Sequence, residues 1–129
     1  MSDWHGAPAH TELGSTDTKA SVAFMSQVFG LEFQSPPDDM AGSPMEYHMA
    51  YRPGEPSTAV RPTMPAEAGP SATPYYLTGD IDATLAAATE AGATILLPKT
   101  PIPGGDGMGF MAWMQIPGGP IIATMQNGQ

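Results

Sequence analysis

The sequence contains the same local pattern twice. A strand-like stretch leads into a polar corner at Asp17, and a helix-like stretch then runs to Gly30. The second copy begins at Thr73, reaches its polar corner at Asp80 and ends its helix-like stretch at Gly92. An aspartate at this place can cap a helix, because its short side chain accepts hydrogen bonds from first-turn amides, and a glycine permits the left-handed residue that ends one. The repetition predicts a fold built from two similar modules.

Three further strand-like stretches follow each helix, so each module is predicted to be βαβββ. Proline and glycine turns separate these stretches. They are residues 31–34, 45–51 and 57–62 in the first module and residues 93–97, 108–115 and 121–126 in the second. Two such modules predict an α+β fold, in which a curved mixed sheet of roughly eight strands surrounds a concave cavity.

The length of 129 residues suits one domain with its own core. We expect a single domain, with module one over about residues 8–64, a proline-rich joint over about 62–74 and module two over about 73–126. The sequence has no cysteine, which excludes a disulfide framework and thiolate chemistry. Neither a signal-peptide pattern nor an apolar run of membrane-spanning length is present, so we expect a cytoplasmic protein.

Acidic residues strongly outnumber basic residues. Four Lys and Arg stand against 13 Asp and Glu, which gives a formal net charge of −9 at pH 7. Such a surface repels phosphate backbones and anionic lipids, so we expect no nucleic-acid partner and no membrane partner. It tolerates a cationic small molecule better than an anionic one.

Four motifs connect the chain to a known family. They are His10-x-x-Leu13-x-x-x-Asp17, Val28-Phe-Gly-Leu-Glu-Phe33, Gly79-Asp-Ile-Asp-Ala-Thr-Leu85 and Ile116-Pro-Gly-Gly-Pro-Ile-Ile122. Through these motifs the chain resembles the vicinal-oxygen-chelate superfamily, which includes glyoxalase I, bleomycin-resistance proteins and extradiol dioxygenases. The resemblance covers nearly the whole chain and implies the fold. It specifies function poorly, because this superfamily carries several chemistries.

The resemblance also implies where a divalent metal would be held. Enzymes of the superfamily use a ligand on the first strand of each module and a glutamate on the last strand. His10 falls on the first of these positions, Thr73 on the second and Ala123 on that of the glutamate. Stable sites need three or four protein ligands, so we expect no cofactor and no metal chelate of the usual kind. One alternative stays open, a non-standard divalent site built from His5, His10, Glu12 and His48.

The predicted cavity is aromatic and rich in methionine. Strand alternation places Glu12 on the face of His10. The residues that we expect to contact a ligand are His10, Glu12, Tyr75, Met111, Trp113, Ala123 and Met125. Flexible thioethers adapt to varied ligands, and an aromatic wall beside a carboxylate suits an organic cation. We therefore predict a binding or sequestering protein of the bleomycin-resistance or glyoxalase-like type, for a small flat or cationic organic molecule, rather than an enzyme.

Other interpretations stay open at this point. A glyoxalase-like lyase, isomerase or dioxygenase could use His10 and Glu12 as an acid/base pair, with or without a divalent metal. Trp113 and the methionines can be plain core, and His10 can be a core histidine that bonds a backbone carbonyl. Glu12 can be paired with Arg52 or Arg61. Two-module chains of this superfamily also dimerise, so a homodimer is expected.

Overall fold

The computed structural model describes residues 5–37, 39, 41–42, 46–102 and 107–127. The chain divides into two compact units. The first, here called the N-terminal unit, is residues 10–73. The second, the C-terminal unit, is residues 74–129 together with residues 1–9.

The N-terminal unit carries a mixed four-stranded sheet and one helix. Its elements are β1 (Pro8–Ser15, which starts two residues before the unit), α1 (Thr18–Phe29), β2 (Phe33–Gln34), β3 (His48–Ala50) and β4 (Ser57–Pro62). The strand order is β2-β3-β4-β1. β1 and β4 are parallel, and the other two pairs are antiparallel. The parallel register places His10 beside Ser57 and Glu12 beside Ala59, which brings the polar residues of β1 next to β4.

Helix α1 begins and ends where the sequence predicts. The Asp17 side chain accepts a hydrogen bond from the Ala20 amide at 3.1 Å, and Gly30 takes the left-handed conformation with φ 70°. The apolar stripe of α1 is only partly covered by the sheet. Phe24, Val28 and Phe29 are each more than half exposed, at 57%, 55% and 59%.

The C-terminal unit repeats this arrangement. Its elements are β5 (Ser71–Leu77, which starts three residues before position 74), α2 (Ile81–Glu90), β6 (Thr94–Pro101), β7 (Gly109–Gln115) and β8 (Ile121–Asn127). The strand order is β5-β8-β7-β6, with β5 and β8 parallel and the other pairs antiparallel. Asp80 caps α2 by accepting from the Ala83 amide at 3.1 Å. Ile81, at the start of α2, is fully buried and anchors the helix.

Strand β6 differs from the prediction, which ended it at residue 97. It continues through Pro98 to Pro101, and its register against β7 shifts twice, between Ile95 and Leu97 and between Leu97 and Thr100. Proline lacks an amide proton for the sheet, but an edge strand with irregular pairing tolerates it. β6 lies at the edge of the sheet and, among the described strands, pairs with β7 alone. The missing amide proton of Pro98 therefore does not end the strand.

The predicted α+β class and the two βαβββ modules are confirmed. The described ranges contain two helices and eight strands in the predicted order. Met45, which the sequence places at the start of the third strand, lies outside the described residues. Within the ranges that the structure describes, neither helix is long and apolar enough to cross a membrane.

Candidate functional site

A chain of hydrogen bonds runs through the N-terminal unit around His10. The Nδ1 atom of His10 lies 2.6 Å from the Ser57 hydroxyl, and its Nε2 atom lies 2.6 Å from the Tyr47 hydroxyl. Tyr47 donates in turn to Oε2 of Glu12 at 2.8 Å. The register of β1 with β4 brings Ser57 to His10, and alternation along β1 puts Glu12 on the same face.

These hydrogen bonds determine which ring nitrogen of His10 carries the proton. Because Tyr47 donates its proton to Glu12, its oxygen accepts from the Nε2–H of His10. The Nδ1 atom of His10 is then an acceptor for the Ser57 hydroxyl. Burial lowers the pKa of His10 below its usual range, although the Glu12 carboxylate acts to raise it. His10 is therefore a neutral imidazole at pH 7, with one ring nitrogen donating and the other accepting.

A buried ion-pair network continues from Glu12. Arg61 donates from Nε to Oε1 of Glu12 at 2.8 Å. The other guanidinium nitrogens of Arg61 donate to the two carboxylate oxygens of Glu67 at 2.8 and 3.0 Å. Ser71 and the Met64 amide also donate to Glu67. The pairing of Glu12 with Arg61, one of the two alternatives drawn from the sequence, is confirmed.

Each charge in this network is stabilised by its partners. Burial acts to lower the pKa of Arg61, but hydrogen bonds to Glu67 and Glu12 outweigh it and raise that pKa. Burial likewise acts to raise the pKa of Glu67, and hydrogen bonds from Arg61, Ser71 and the Met64 amide lower it to about 2. Arg61 and Glu67 therefore stay charged at neutral pH inside the protein.

An aromatic cluster forms the core of the C-terminal unit. Trp113 donates from Nε1 to the Tyr75 hydroxyl at 2.9 Å. Ala123 lies in register with both aromatic residues, Tyr75 on one neighbouring strand and Trp113 on the other. Met111 and Met125 pack against the cluster. The small side chain of Ala123 leaves room for the two large rings beside it.

The structure thus gathers the predicted contact residues in two sets. His10 and Glu12 are linked through Tyr47 in the N-terminal unit. Tyr75, Met111, Trp113, Ala123 and Met125 form the cluster of the C-terminal unit. The role of all seven in ligand contact stays a prediction. Sequence reasoning missed Tyr47, although its place on the face of a predicted strand was a usable signal.

The residues at the expected metal positions do not fit a divalent ion. Both ring nitrogens of His10 and both oxygens of Glu12 have hydrogen-bond partners. Thr73 and Ala123, on the other two positions, supply no imidazole or carboxylate. In the described part of the chain, no three His, Cys, Asp or Glu side chains come together as a metal site. The alternative site that combined His5, His10, Glu12 and His48 stays a prediction, and within the N-terminal unit His48 bonds Ser35 and Glu46 rather than His10 or Glu12.

Comparison with known proteins places this fold in a family. The family model described as the Glyoxalase/Bleomycin resistance protein/Dioxygenase superfamily matches residues 7–120, which is most of the chain. Among curated proteins, none matches the sequence significantly.

Solved structures with the same fold include several epimerases. Methylmalonyl-CoA epimerase from Mycobacterium tuberculosis has 12% identity and a TM-score of 0.68, and the match covers 100% of this chain and 93% of that one. The Streptomyces coelicolor methylmalonyl-CoA epimerase, in complex with 2-nitronate-propionyl-CoA, has 16% identity and a TM-score of 0.65, covering 97% and 99%. A hypothetical protein from Bacillus halodurans C-125 has 14% identity and a TM-score of 0.69, covering 96% of each chain. At identities this low, the structural likeness establishes a shared fold and nothing more.

Proposed function

The chain belongs to the glyoxalase/bleomycin resistance protein/dioxygenase superfamily, and we propose that it binds or sequesters a small organic molecule without a chelated divalent metal. The hydrogen-bond chain around His10 carries this proposal. Ser57, Tyr47 and Arg61 already engage both ring nitrogens of His10 and both oxygens of Glu12. Polar groups ordered in this way favour recognition, because little freedom is lost when a ligand meets them.

We propose a flat ligand that is neutral or cationic. The buried network holds two carboxylates, Glu12 and Glu67, against the single guanidinium of Arg61. The whole chain carries a net charge of −9, so an anionic ligand is disfavoured. Aromatic and thioether side chains suit flat organic molecules. The proposed contact residues remain His10, Glu12, Tyr75, Met111, Trp113, Ala123 and Met125.

Titration calorimetry tests this proposal with acridinium as a planar aromatic cation and a planar aromatic sulfonate as its anionic counterpart. We expect saturable binding of the cation and binding of the sulfonate that is at least about tenfold weaker. Glu12→Gln should weaken cation binding by about tenfold, because it removes one buried negative charge. Glu55→Gln, at an exposed carboxylate, is the matched control. Absence of saturable binding, or equal binding by the Glu12 variant, refutes the proposal.

An isomerase is the second candidate. The hydrogen-bond chain from His10 through Tyr47 to Glu12 could move a proton, and epimerases share the fold. The acidic surface of the protein disfavours a CoA ester as substrate, because it repels the phosphates of CoA. Incubation with methylmalonyl-CoA in deuterated water tests this candidate. We expect no exchange of the acidic proton. Exchange that disappears in His10→Asn would replace the binding proposal by the enzymatic one.

We further propose that the chain forms a homodimer. Three large apolar residues of α1, namely Phe24, Val28 and Phe29, are more than half exposed, and neighbouring exposed apolar side chains mark contact surfaces. Sedimentation velocity should show a dimer, and Phe29→Glu should give a monomer. Gln27→Glu, on an exposed position of the same helix, should leave the dimer intact. A monomeric wild-type protein contradicts the proposal.

A single domain and a cytoplasmic location complete the proposal. One cooperative unfolding transition, seen equally by fluorescence and circular dichroism, would support a single domain. Two separated transitions would contradict it. Fractionation of the source cells, with markers for each compartment, tests the location.

A further inference from the structure

A second cluster of polar side chains lies in the N-terminal unit. Glu46, Tyr47 and His48 are consecutive, and Tyr47 bonds His10 and Glu12. Its two neighbours bond other partners, because successive side chains of an extended chain point to opposite sides. The hydrogen bonds around His10 therefore lie on one side of segment 46–48, and the cluster that contains Glu46 and His48 lies on the other side.

Ser35, His48 and Glu46 form a linear arrangement in this cluster. The Ser35 hydroxyl lies 2.7 Å from Nδ1 of His48, and Nε2 of His48 lies 2.5 Å from Oε2 of Glu46. Thr18 donates its hydroxyl to Glu46 at 2.6 Å, and the Gly42 amide donates at 2.7 Å. The Thr18 hydroxyl, the Gly42 amide and His48 together lower the pKa of Glu46 to about 2, against the effect of burial.

These partners determine the proton positions on His48. A charged Glu46 only accepts hydrogen bonds, so His48 carries its proton on Nε2. In the neutral form of the ring, the lone pair of Nδ1 then faces the Ser35 hydroxyl, which donates to it. A serine, a base and a carboxylate that orients the base are the groups that activate a hydroxyl nucleophile.

The accessibility of the three side chains matches these roles. The side chain of Glu46 is 5% exposed and that of His48 is 13% exposed, whereas Ser35 lies at the surface. Ser35 also precedes Pro36, and a residue before proline is restricted to extended conformations. The nucleophile is thus open to solvent on a restricted backbone, and the base and carboxylate behind it are shielded.

The three residues line an open groove of about 650 Å³. This volume is in the range of small-molecule sites. The first turn of α1 forms part of the wall through Thr18 and Lys19, whose amides have no acceptor within the helix. Amides of this kind can stabilise an oxyanion. The apolar side chains of the wall are small and suit a short acyl chain. They are Val22, Ala23, Pro36, Pro37, Ala41 and Pro62.

We propose that Ser35 and His48 are catalytic residues of a second site, positioned by Glu46, that hydrolyses short-chain acyl esters. Ser35 Oγ attacks the ester carbonyl, and its proton passes to Nδ1 of His48. The carbon–oxygen bond to the alcohol breaks, and His48 returns the proton to the departing alcohol. Water then attacks the acyl-serine with His48 as base, releasing the carboxylic acid and restoring the Ser35 hydroxyl. This site shares no residue with the proposed binding site, so either proposal can fail alone.

A fluorophosphonate probe provides the direct test on the full chain. Intact mass spectrometry of the folded wild-type protein should show one adduct per chain, and peptide mapping should place it on Ser35. Ser26→Ala, a serine of α1 outside the groove, should label like wild type. Absence of an adduct, or an adduct on another serine, overturns the proposal.

Turnover provides the second test, with p-nitrophenyl acetate and butyrate as substrates. Ser35→Ala and His48→Asn should each lower the rate by at least about 100-fold, the usual contribution of such groups. Glu46→Gln should slow labelling of Ser35, and Glu46→Asp should restore part of the rate because it keeps the charge. Circular dichroism checks that each variant folds. Turnover that persists in Ser35→Ala refutes the proposal, and Ser35 is exposed enough for that variant to fold.

Discussion

Arg61 donates from Nε to Oε1 of Glu12 across 2.8 Å, in a pair that is almost fully buried. The charge of Glu12 is thus held inside the protein by a partner on the neighbouring strand. Arg61 also donates two hydrogen bonds to the carboxylate of Glu67. A buried pair of this kind adds little stability compared with apolar residues, but loss of one partner is costly because a charge remains buried. Arg61 is therefore the residue on which the network most depends.

Removing Arg61 should destabilise the protein strongly. In Arg61→Met, Glu12 and Glu67 lose their shared guanidinium, and we expect the free energy of unfolding to fall by ~3–5 kcal/mol. Arg52→Met is the matched control, since Arg52 pairs with Glu55 at 3.9 Å on the surface and should cost less than ~1 kcal/mol. Urea unfolding measures both variants. Similar losses of stability in the two variants would show that the buried ion pairs of Arg61 matter no more to stability than the surface pair of Arg52.

Removing the Tyr47 hydroxyl should disturb His10. In Tyr47→Phe, the Nε2–H of His10 loses its acceptor and Glu12 loses one donor, at a cost of ~1–3 kcal/mol. Nitrogen-15 spectra of the imidazole should show that the single tautomer of the wild type becomes a mixture. Tyr51→Phe, at a side chain that is 66% exposed, should change neither stability nor tautomer. An unchanged tautomer in the Tyr47 variant would contradict the proton assignment.

Stability should fall in two stages as the pH decreases. The pKa of His10 is lowered in the folded state, so below about pH 6.5 the unfolded chain binds a proton first and unfolding becomes easier. Glu46 and Glu67 have folded-state pKa values of about 2, so the stability that they contribute is present above about pH 4.5 and is lost as the pH falls toward 2.

Melting temperatures between pH 3 and pH 8 measure this dependence. His10→Asn should flatten the upper stage and leave the lower one. Glu67→Gln should flatten part of the lower stage. His5→Asn, at an exposed histidine, should leave both stages unchanged. A melting temperature that rises between pH 6.5 and pH 5 would show the wrong sign for His10.

Enlarging Ala123 should overpack the aromatic cluster. Ala123 is fully buried in register with Tyr75 and Trp113, so Ala123→Leu forces the rings apart and should cost ~1–3 kcal/mol. Ala87→Leu, at an exposed position of α2, is the control and should be close to neutral. Thermal unfolding compares the two. An unchanged stability of Ala123→Leu would mean that the cluster has free space beside this residue.

Local patterns were sufficient to predict most of the fold. Asp17 and Asp80 cap their helices as predicted, because a cap depends on residues three positions apart. Strand β6 was predicted too short, since whether Pro98 ends a strand depends on the position of that strand in the sheet. The α+β class and the βαβββ order therefore follow from the sequence, and the ends of edge strands do not.

The polar sites depended on contacts that no local pattern contains. Local sequence patterns predict the two repeated modules, their helix caps and the shared face of His10 and Glu12. Only the folded chain brings Glu12 to Arg61, 49 positions away, and Ser35 to His48, 13 positions away. Such pairs form only when strand register and loop position are set by packing of the whole unit, because a side chain selects among distant partners by geometry rather than by sequence spacing.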